Sequence, residues 1–282
     1  MRLSIITINY NNRDGLKKTI ESVVGQSFTD YEWIVVDGGS TDGSKELIEQ
    51  NSDHFSYWVS ESDKGIYNAM NKGIMVAKGD YLQFLNSGDW LYDCHALERC
   101  FSHHFESDIA YGNLFFVDKN GEKTELSDYP QQLSLRFLYQ SSLGHNASFI
   151  RRELLQSVLY DEHYKIVSDW VFFLKMALSK ASFVFLDEII TCFDTSGISS
   201  INEQLVQEER AMVIKDVIPL PLIQDFKKMD EMERILNKDH VKKVLEYGGK
   251  SKFYHKLISA VLSFIGYVDK VASHPLFDKR NQ

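Results

Sequence analysis

The chain has 282 residues, enough for one large domain or two small ones that fold without disulfide or metal support. With 44% hydrophobic and 25% charged residues, 4 prolines and 16 glycines, it is not disordered, collagenous, coiled-coil or low-complexity. A net charge of −9 argues against nucleic acid as a partner, because that needs a broadly basic surface.

Leu3 to Ile8 is a short apolar run that predicts a buried strand; it breaks into asparagines too early for a cleaved leader. Asn11, Asn12 and Asp14 then offer helix caps, and Leu16, Ile20, Val23 and Val24 follow at helical spacing. Tyr31 to Val36 is a second buried strand that stops at Asp37. The turn Gly38 to Gly43 leads into a helix with Leu47 and Ile48 inward. Phe55 to Val59 is a third strand, Ile66 to Ala77 a helix, and Tyr81 to Leu85 a fourth strand, ending in Asn86-Ser87-Gly88-Asp89. This alternation predicts βαβ units, hence an α/β fold with a mostly parallel sheet flanked by helices. Polar residues collect at the carboxyl ends of the strands, where ligands bind in open α/β sheets.

Further on, Ile109–Val117 and Lys123–Leu126 read as a hairpin about Asp118-Lys119-Asn120-Gly121. Ala147 to Ile150 is a short strand, Arg152 to Leu159 a short helix and Val167 to Ala181 a stronger one. Phe183–Leu186 and Ile189–Phe193 are strands, and from Asn202 the pattern is helical only. Cys94, Cys100 and Cys192 fit no metal pattern and read as reduced thiols, which implies a reducing compartment. No run reaches the roughly 18 apolar residues of a membrane span. Residues 240–282 carry a net charge of +5, against −14 for residues 1–239.

Asp37, Asp63 and Asp89 stand at strand ends or loop starts, and Asp169 opens the helix after Val167. Any one alone is an ordinary cap or turn former. Together on one sheet edge they would repel unless a cation lay between them, and hard oxygen ligands suit Mg²⁺ or Mn²⁺. A diphosphate would need such a cation. Neither a P-loop nor a dinucleotide fingerprint is present, so no glycine cradle holds phosphate here.

Ser4 to Asn12 (SIITINYNN), Trp33 to Ser44 (WIVVDGGSTDGS), Ser60 to Asp89 and Val167 to Phe173 (VSDWVFF) together resemble the family 2 glycosyltransferases, inverting enzymes of the GT-A fold. The LNSGD form is similar to a subgroup from bacterial surface-polysaccharide synthesis. The resemblance implies a GT-A catalytic domain over residues 1–200, with a Rossmann-like nucleotide-binding half, and a helical extension over 201–282. It implies a nucleotide-diphosphate sugar donor, UDP-linked, and a glycan or lipid-linked acceptor. Thr7, Asn9 and Tyr10 would line the base, and Asp37 would accept its imide N–H, with Gly39 and Ser40 shaping that loop. Asp63, Lys64 and Gly65 would lie near the ribose, diphosphate or sugar. Asn68 and Asn71, on the next helix, and His145 would reach the donor. Asp89 would hold Mn²⁺ or Mg²⁺, although Asn86-Ser87-Gly88-Asp89 lacks the first carboxylate of the family's Asp-x-Asp. Asp169 would be the catalytic base, its pKa raised by Trp170 excluding water, and residues 194–199 a loop closing over the donor.

The competing readings are a sugar-phosphate nucleotidyltransferase, which lacks its glycine-rich basic segment here, and a nucleotide-sugar binding protein without catalysis. Residues 248–270 form a basic amphipathic segment that packs on the domain, pairs two copies or lies on an anionic membrane. The expected location is cytoplasmic, at the inner face of the membrane if that segment binds lipid.

Overall fold

A computed structural model describes residues 1–118, 120–197, 202–239, 241–243, 246, 256–261 and 263. The chain divides into two units, Met1–Ile218 and Pro219–Gln282. The first begins with β1 (Leu3–Asn9), buried along its whole length, as a strand covered on both faces must be. Next come α1 (Arg13–Val24), β2 (Tyr31–Asp37), α2 (Ser44–Gln50), β3 (Tyr57–Ser60), α3 (Ile66–Val76) and β4 (Tyr81–Phe84). Asn12 caps α1 by accepting from the Gly15 N–H at 3.2 Å, and Leu16, Ile20 and Val23 form its buried stripe.

The strands pair in the order β3-β2-β1-β4, all parallel. Side chains of β1 alternate between two helical layers. Leu3 and Ile5 join the core with Leu16 and Ile20 of α1, while Ile6 meets Gly73 of α3, where a Cβ would lie 2.5 Å from its Cγ2. The carboxyl ends of these parallel strands therefore reach one edge.

Beyond β4 come β5 (Trp90–Leu91), α4 (Ala96–Ser102), β6 (Ile109–Val117), β7 (Lys123–Leu126), α5 (Leu135–Gln140), β8 (Ser148–Arg151), α6 (Arg152–Ser157), α7 (Ser168–Leu178), β9 (Phe183–Asp194) and α8 (Glu203–Val217). The sheet continues β4-β8-β6-β9-β5, with β7 on β6. Here β8 runs antiparallel to β4 and β6, while β9 is parallel to β6. The α/β architecture is as expected, with its parallel half at the amino end. The hairpin closes as read, with Gly121 at φ +83° and its N–H on the Asp118 carbonyl at 2.9 Å; Lys119 lies outside the described residues. The two strands read at 183–186 and 189–193 are one strand, whose pairing with β6 shifts register near Asn113. All three cysteines are free, two of them buried.

The first unit runs to Ile218. It includes α8, whose Glu209 is buried and accepts hydrogen bonds from the Lys165, Ile166 and Val167 amides. In the second unit α9 (Leu220–Leu236) follows Pro219 and has proline in its first turn. Residues 198–201 lie outside the described residues, as does the basic amphipathic segment at 248–270 except at 256–261 and 263. Among the described residues no helix is long and apolar enough to cross a membrane.

The turn before β4 is a point of close approach. A Cβ on Gly79 would lie 2.6 Å from the backbone of Leu3 and Ser4, and the Gly79 N–H donates to Ser4 Oγ at 2.8 Å. Backbone cannot give way as a flexible side chain can. Gly79→Ala is expected to lower unfolding stability by about 2 kcal/mol, read as a fall in the urea midpoint with unchanged slope.

Candidate active site

A cleft of about 780 Å³ opens at the carboxyl edge of the sheet, all within the first unit. Its walls come from the ends of β1 (Asn9, Tyr10) and β2 (Gly38, Gly39), the loop after β3 (Asp63, Gly65), α3 (Tyr67), the loop after β4 (Asn86, Asp89), His145, Asp169 and Asp194. Three of the four aspartates singled out from sequence thus share one cavity.

Asp37 lies beneath the cleft and not on its wall. The parallel register sets Asn9 beside Asp37 and Asp37 beside Ser60. The fully buried carboxylate accepts from Asn9 Nδ2 (2.7 Å), Ser40 Oγ (2.5 Å), the Ser40 N–H (2.9 Å) and Ser60 Oγ (2.6 Å). Burial would raise its pKa, but these four hydrogen bonds outweigh that and hold it below the usual carboxylate range. Both oxygens are engaged inside the chain, so the acceptor role implied for Asp37 toward a base would require displacing one of these donors.

The other expected base-binding residues divide. Asn9, Tyr10 and Gly39 face the cleft, Tyr10 being exposed and Gly39 at φ +80°. Thr7 is buried below it, accepting from Trp33 Nε1 at 3.0 Å, and Ser40 ties Asp37 to the Asn11 N–H. Asp63 and Gly65 line the cleft, joined by the Gly65 N–H to Asp63 Oδ1 at 2.8 Å. Lys64, Asn68 and Asn71 do not line it. The Lys64 N–H donates to Asn68, and Asn68 donates to Glu162 at 3.0 Å. The buried Asn71 bonds the Tyr160 backbone through both its amide groups, fastening α3 to the segment before α7.

At the far wall His145 and Asp169 are paired. His145 Nδ1 lies 2.9 Å from Asp169 Oδ2, and the Tyr67 hydroxyl lies 2.9 Å from Asp169 Oδ1 while also bonding the Ile166 carbonyl. Burial would lower the His145 pKa, but the hydrogen bond to Asp169 and the charges of Asp169 and Asp89 raise it. Burial would raise Asp169, but His145, Tyr67 and the Trp170 amide pull it below its ordinary value. This reverses the expected direction. The Trp170 indole donates to the Leu138 carbonyl at 2.6 Å and lies under the Arg210 guanidinium, while its backbone N–H helps to hold Asp169 down. On the other side of the ring, His145 Nε2 is 3.1 Å from Asn86 Nδ2, and Asn86 Oδ1 has no hydrogen-bond partner among the described residues. The two orientations of this amide match the two ring states: amide N–H to a neutral Nε2, or Nε2–H to Oδ1 when the ring is charged.

Asp89 is buried in a different setting. Its oxygens accept one hydrogen bond each, from Asn146 Nδ2 (3.0 Å) and the Asp194 N–H (2.9 Å). Desolvation dominates these donors and the His145 charge, and pushes the carboxyl up to about 7. A buried carboxylate on a cleft wall, each oxygen still with a free lone pair, suits a hard divalent cation. Among the described residues no three His, Cys, Asp or Glu side chains converge to hold a metal ion.

Tyr67, Asn86 and Glu209 were not singled out from sequence. Their partners stand far along the chain, Tyr67 and Asp169 being 102 residues apart, so no local spacing marks them.

In open α/β sheets the crevice at the carboxyl ends of the strands is where ligands bind, and here it is lined by carboxylates. The sequence pattern of glycosyl transferase family 2 matches residues 4–174. An uncharacterized glycosyltransferase of Mycobacterium tuberculosis is 34% identical over 218 residues, covering 71% of this chain and 78% of that protein. A PGL/p-HBAD biosynthesis glycosyltransferase of Mycobacterium bovis is 30% identical over 176 residues, covering 60% of this chain and 67% of that protein. Among solved structures, S. aureus TarS 1-349 in complex with UDP-GlcNAc is similar in fold, at 20% identity and TM-score 0.61, over 80% of this chain and 70% of that one. The mannosyltransferase PcManGT of Pyrobaculum calidifontis, in complex with GDP-Man and Mn²⁺, aligns with TM-score 0.59 at 13% identity, over 98% of this chain and 81% of that one. The chain belongs to glycosyl transferase family 2, and is a glycosyltransferase with the GT-A fold.

Two predictions test these electrostatics. Asp89 binds a proton more tightly folded than unfolded, so its contribution to stability falls as pH rises from about 4 to about 7. Asp89→Asn removes that penalty, and Asn146, whose Oδ1 has no partner, can turn its amide to receive the new N–H. The variant is expected to gain stability over wild type at pH 8 relative to pH 4, by on the order of 4 kcal/mol at most, in urea unfolding at the two pH values. Asp169→Asn leaves burial as the main influence on His145. The His145 ring resonance should then titrate below the ordinary histidine range in NMR, where wild type titrates above it.

Proposed function

We propose that the chain moves a sugar, with inversion, from a UDP-linked donor to a hydroxyl of a glycan or lipid-linked acceptor in cell-surface polysaccharide synthesis. The observation that carries this reading is that Asp169, held ionised by His145 and Tyr67, and Asp89, buried and short of positive charge, line one cleft. A base and a phosphate anchor are the two carboxylate tasks such a transfer requires. The UDP and UDP-GlcNAc bound by TarS favour a uridine donor, and the mycobacterial relative named for glycolipid synthesis favours a hydroxyl on a surface molecule.

In this reading the nucleotide lies along Asn9, Tyr10, Gly39, Asp63 and Gly65, with its diphosphate toward Asp89. The acceptor hydroxyl attacks the anomeric carbon from the face opposite the diphosphate. The new C–O bond forms as the old one breaks, and the bonding pair leaves with the nucleoside diphosphate. Asp169 takes the acceptor proton. Its depressed pKa keeps it unprotonated at neutral pH, and the fixed His145 and Tyr67 partners aim it before substrate arrives. Asp89 is the side chain that would hold Mn²⁺ or Mg²⁺, which when bound neutralises charge gathering on the departing diphosphate.

Asp169→Asn is expected to lower turnover by about 10²–10⁴-fold while leaving donor affinity within twofold, measured by nucleoside-diphosphate release and by thermal shift. Wild-type turnover in that variant would remove the base assignment. UDP with Mn²⁺ should raise the melting temperature more than GDP with Mn²⁺ or UDP alone, and Asp89→Ala should abolish the metal-dependent part. A larger shift with GDP would overturn the uridine assignment.

A further inference from the structure

The family match ends at residue 174, yet two consecutive residues of α8 reach back to the paired His145 and Asp169. Glu209 is 4% exposed. Its Oε1 accepts from the Lys165 N–H at 2.6 Å, and its Oε2 accepts from the Ile166 and Val167 N–H groups at 3.0 and 3.2 Å. These amides lead directly into α7, whose N-cap residue Val167 has no side-chain cap of its own. A carboxylate from another helix thus holds the three successive amides that lead into α7, ending at its N-cap residue Val167.

The same three-residue segment is held from its other side, since the Ile166 carbonyl accepts from the Tyr67 hydroxyl that also meets Asp169 Oδ1. The Arg210 guanidinium lies 4.3 Å from the Trp170 ring centroid and donates to the carbonyls of Tyr139 (3.2 Å), in the last turn of α5, and Ser141 (3.4 Å), where the loop to His145 begins. Neighbouring side chains of α8 therefore brace both segments that carry the pair.

We propose that Glu209 is a positioning residue for sugar transfer: by holding the Lys165–Val167 backbone it fixes the first turn of α7 and so the place of Asp169 against His145 and Tyr67. This rests on the reading of Asp169 as the base. Without Glu209 three amides, those of Ile166 and Val167 buried, lose their acceptor, and the segment must move to find others or water. A displacement of about 1 Å at a reacting group costs on the order of 10²-fold in rate. Donor binding uses the opposite wall of the cleft and is not expected to change.

The test compares Glu209→Gln, Glu209→Ala and Asp169→Asn in the full chain. Glutamine keeps the shape and one acceptor oxygen but turns an NH₂ toward amide donors, so turnover should fall about 10-fold, and in the alanine variant about 100-fold. Donor KM should stay within twofold in both. The His145 resonance, assigned by its loss in His145→Gln, should titrate lower than in wild type, because Asp169 no longer sits against the ring. A structural cap alone would lower the melting temperature and leave turnover and the histidine titration unchanged well below it. That outcome in either folded variant overturns the inference. If Glu209→Ala does not fold, Glu209→Gln decides. If Asp169→Asn keeps full turnover, the base reading fails, and the histidine titration in the Glu209 variants still decides whether Glu209 places that carboxylate.

Discussion

The buried carboxylate of Asp37 is the constraint on which the cleft depends. Parallel pairing sets Asn9, Asp37 and Ser60 side by side at three strand ends, and the carboxylate bonds to both neighbours and to Ser40. A one-residue slip would turn Asp37 to the opposite face of the sheet and leave those donors without an acceptor. The knot therefore fixes the register of the parallel half and the turn at Gly38 and Gly39. It is a polar device at the one edge where the strands can no longer be held by apolar packing alone.

From that edge the chain gives two carboxylates opposite treatment. Asp169 is buried with a histidine and a tyrosine and stays ionised. Asp89 is buried with an amide and a backbone N–H, neither charged, and keeps its proton to about neutral pH. The difference comes from neighbours and not from depth, since both side chains are largely out of water. Titratable groups in one cavity whose environments push them apart are suited to different tasks. His145 belongs to both, pairing directly with Asp169 and lending charge to Asp89 from farther off.

Much of the fold was legible because periodicity reports burial. The runs at Leu3–Ile8 and Tyr31–Val36, and the helical stripes between them, show which residues must leave water, and the structure buries them. That Asp63, Asp89 and Asp169 would meet at one cleft was legible because each follows or adjoins an apolar segment that ends at the same edge. Short elements were not: β5 has two residues, α5 buries only Leu138, and α4 has only seven residues although four of them are buried. The strand ends alone also misplace Asp37, since sequence shows where a carboxylate falls but not how many donors surround it. Trp170 shows the same limit, for adjacency to Asp169 in the chain says nothing of the ring's direction. Glu209 was invisible for a third reason, because its partners are backbone amides, which carry no residue identity.

The reach of Glu209 has a bearing on how such chains exchange parts. The boundary that residue resemblance draws at 174 falls inside α7 and short of the acceptor for the amides that lead into it. A chimera spliced there would inherit the recognisable catalytic segment and leave its anchor behind. If Glu209 places Asp169 as proposed, the working unit of the chain extends into α8, past the last matched residue.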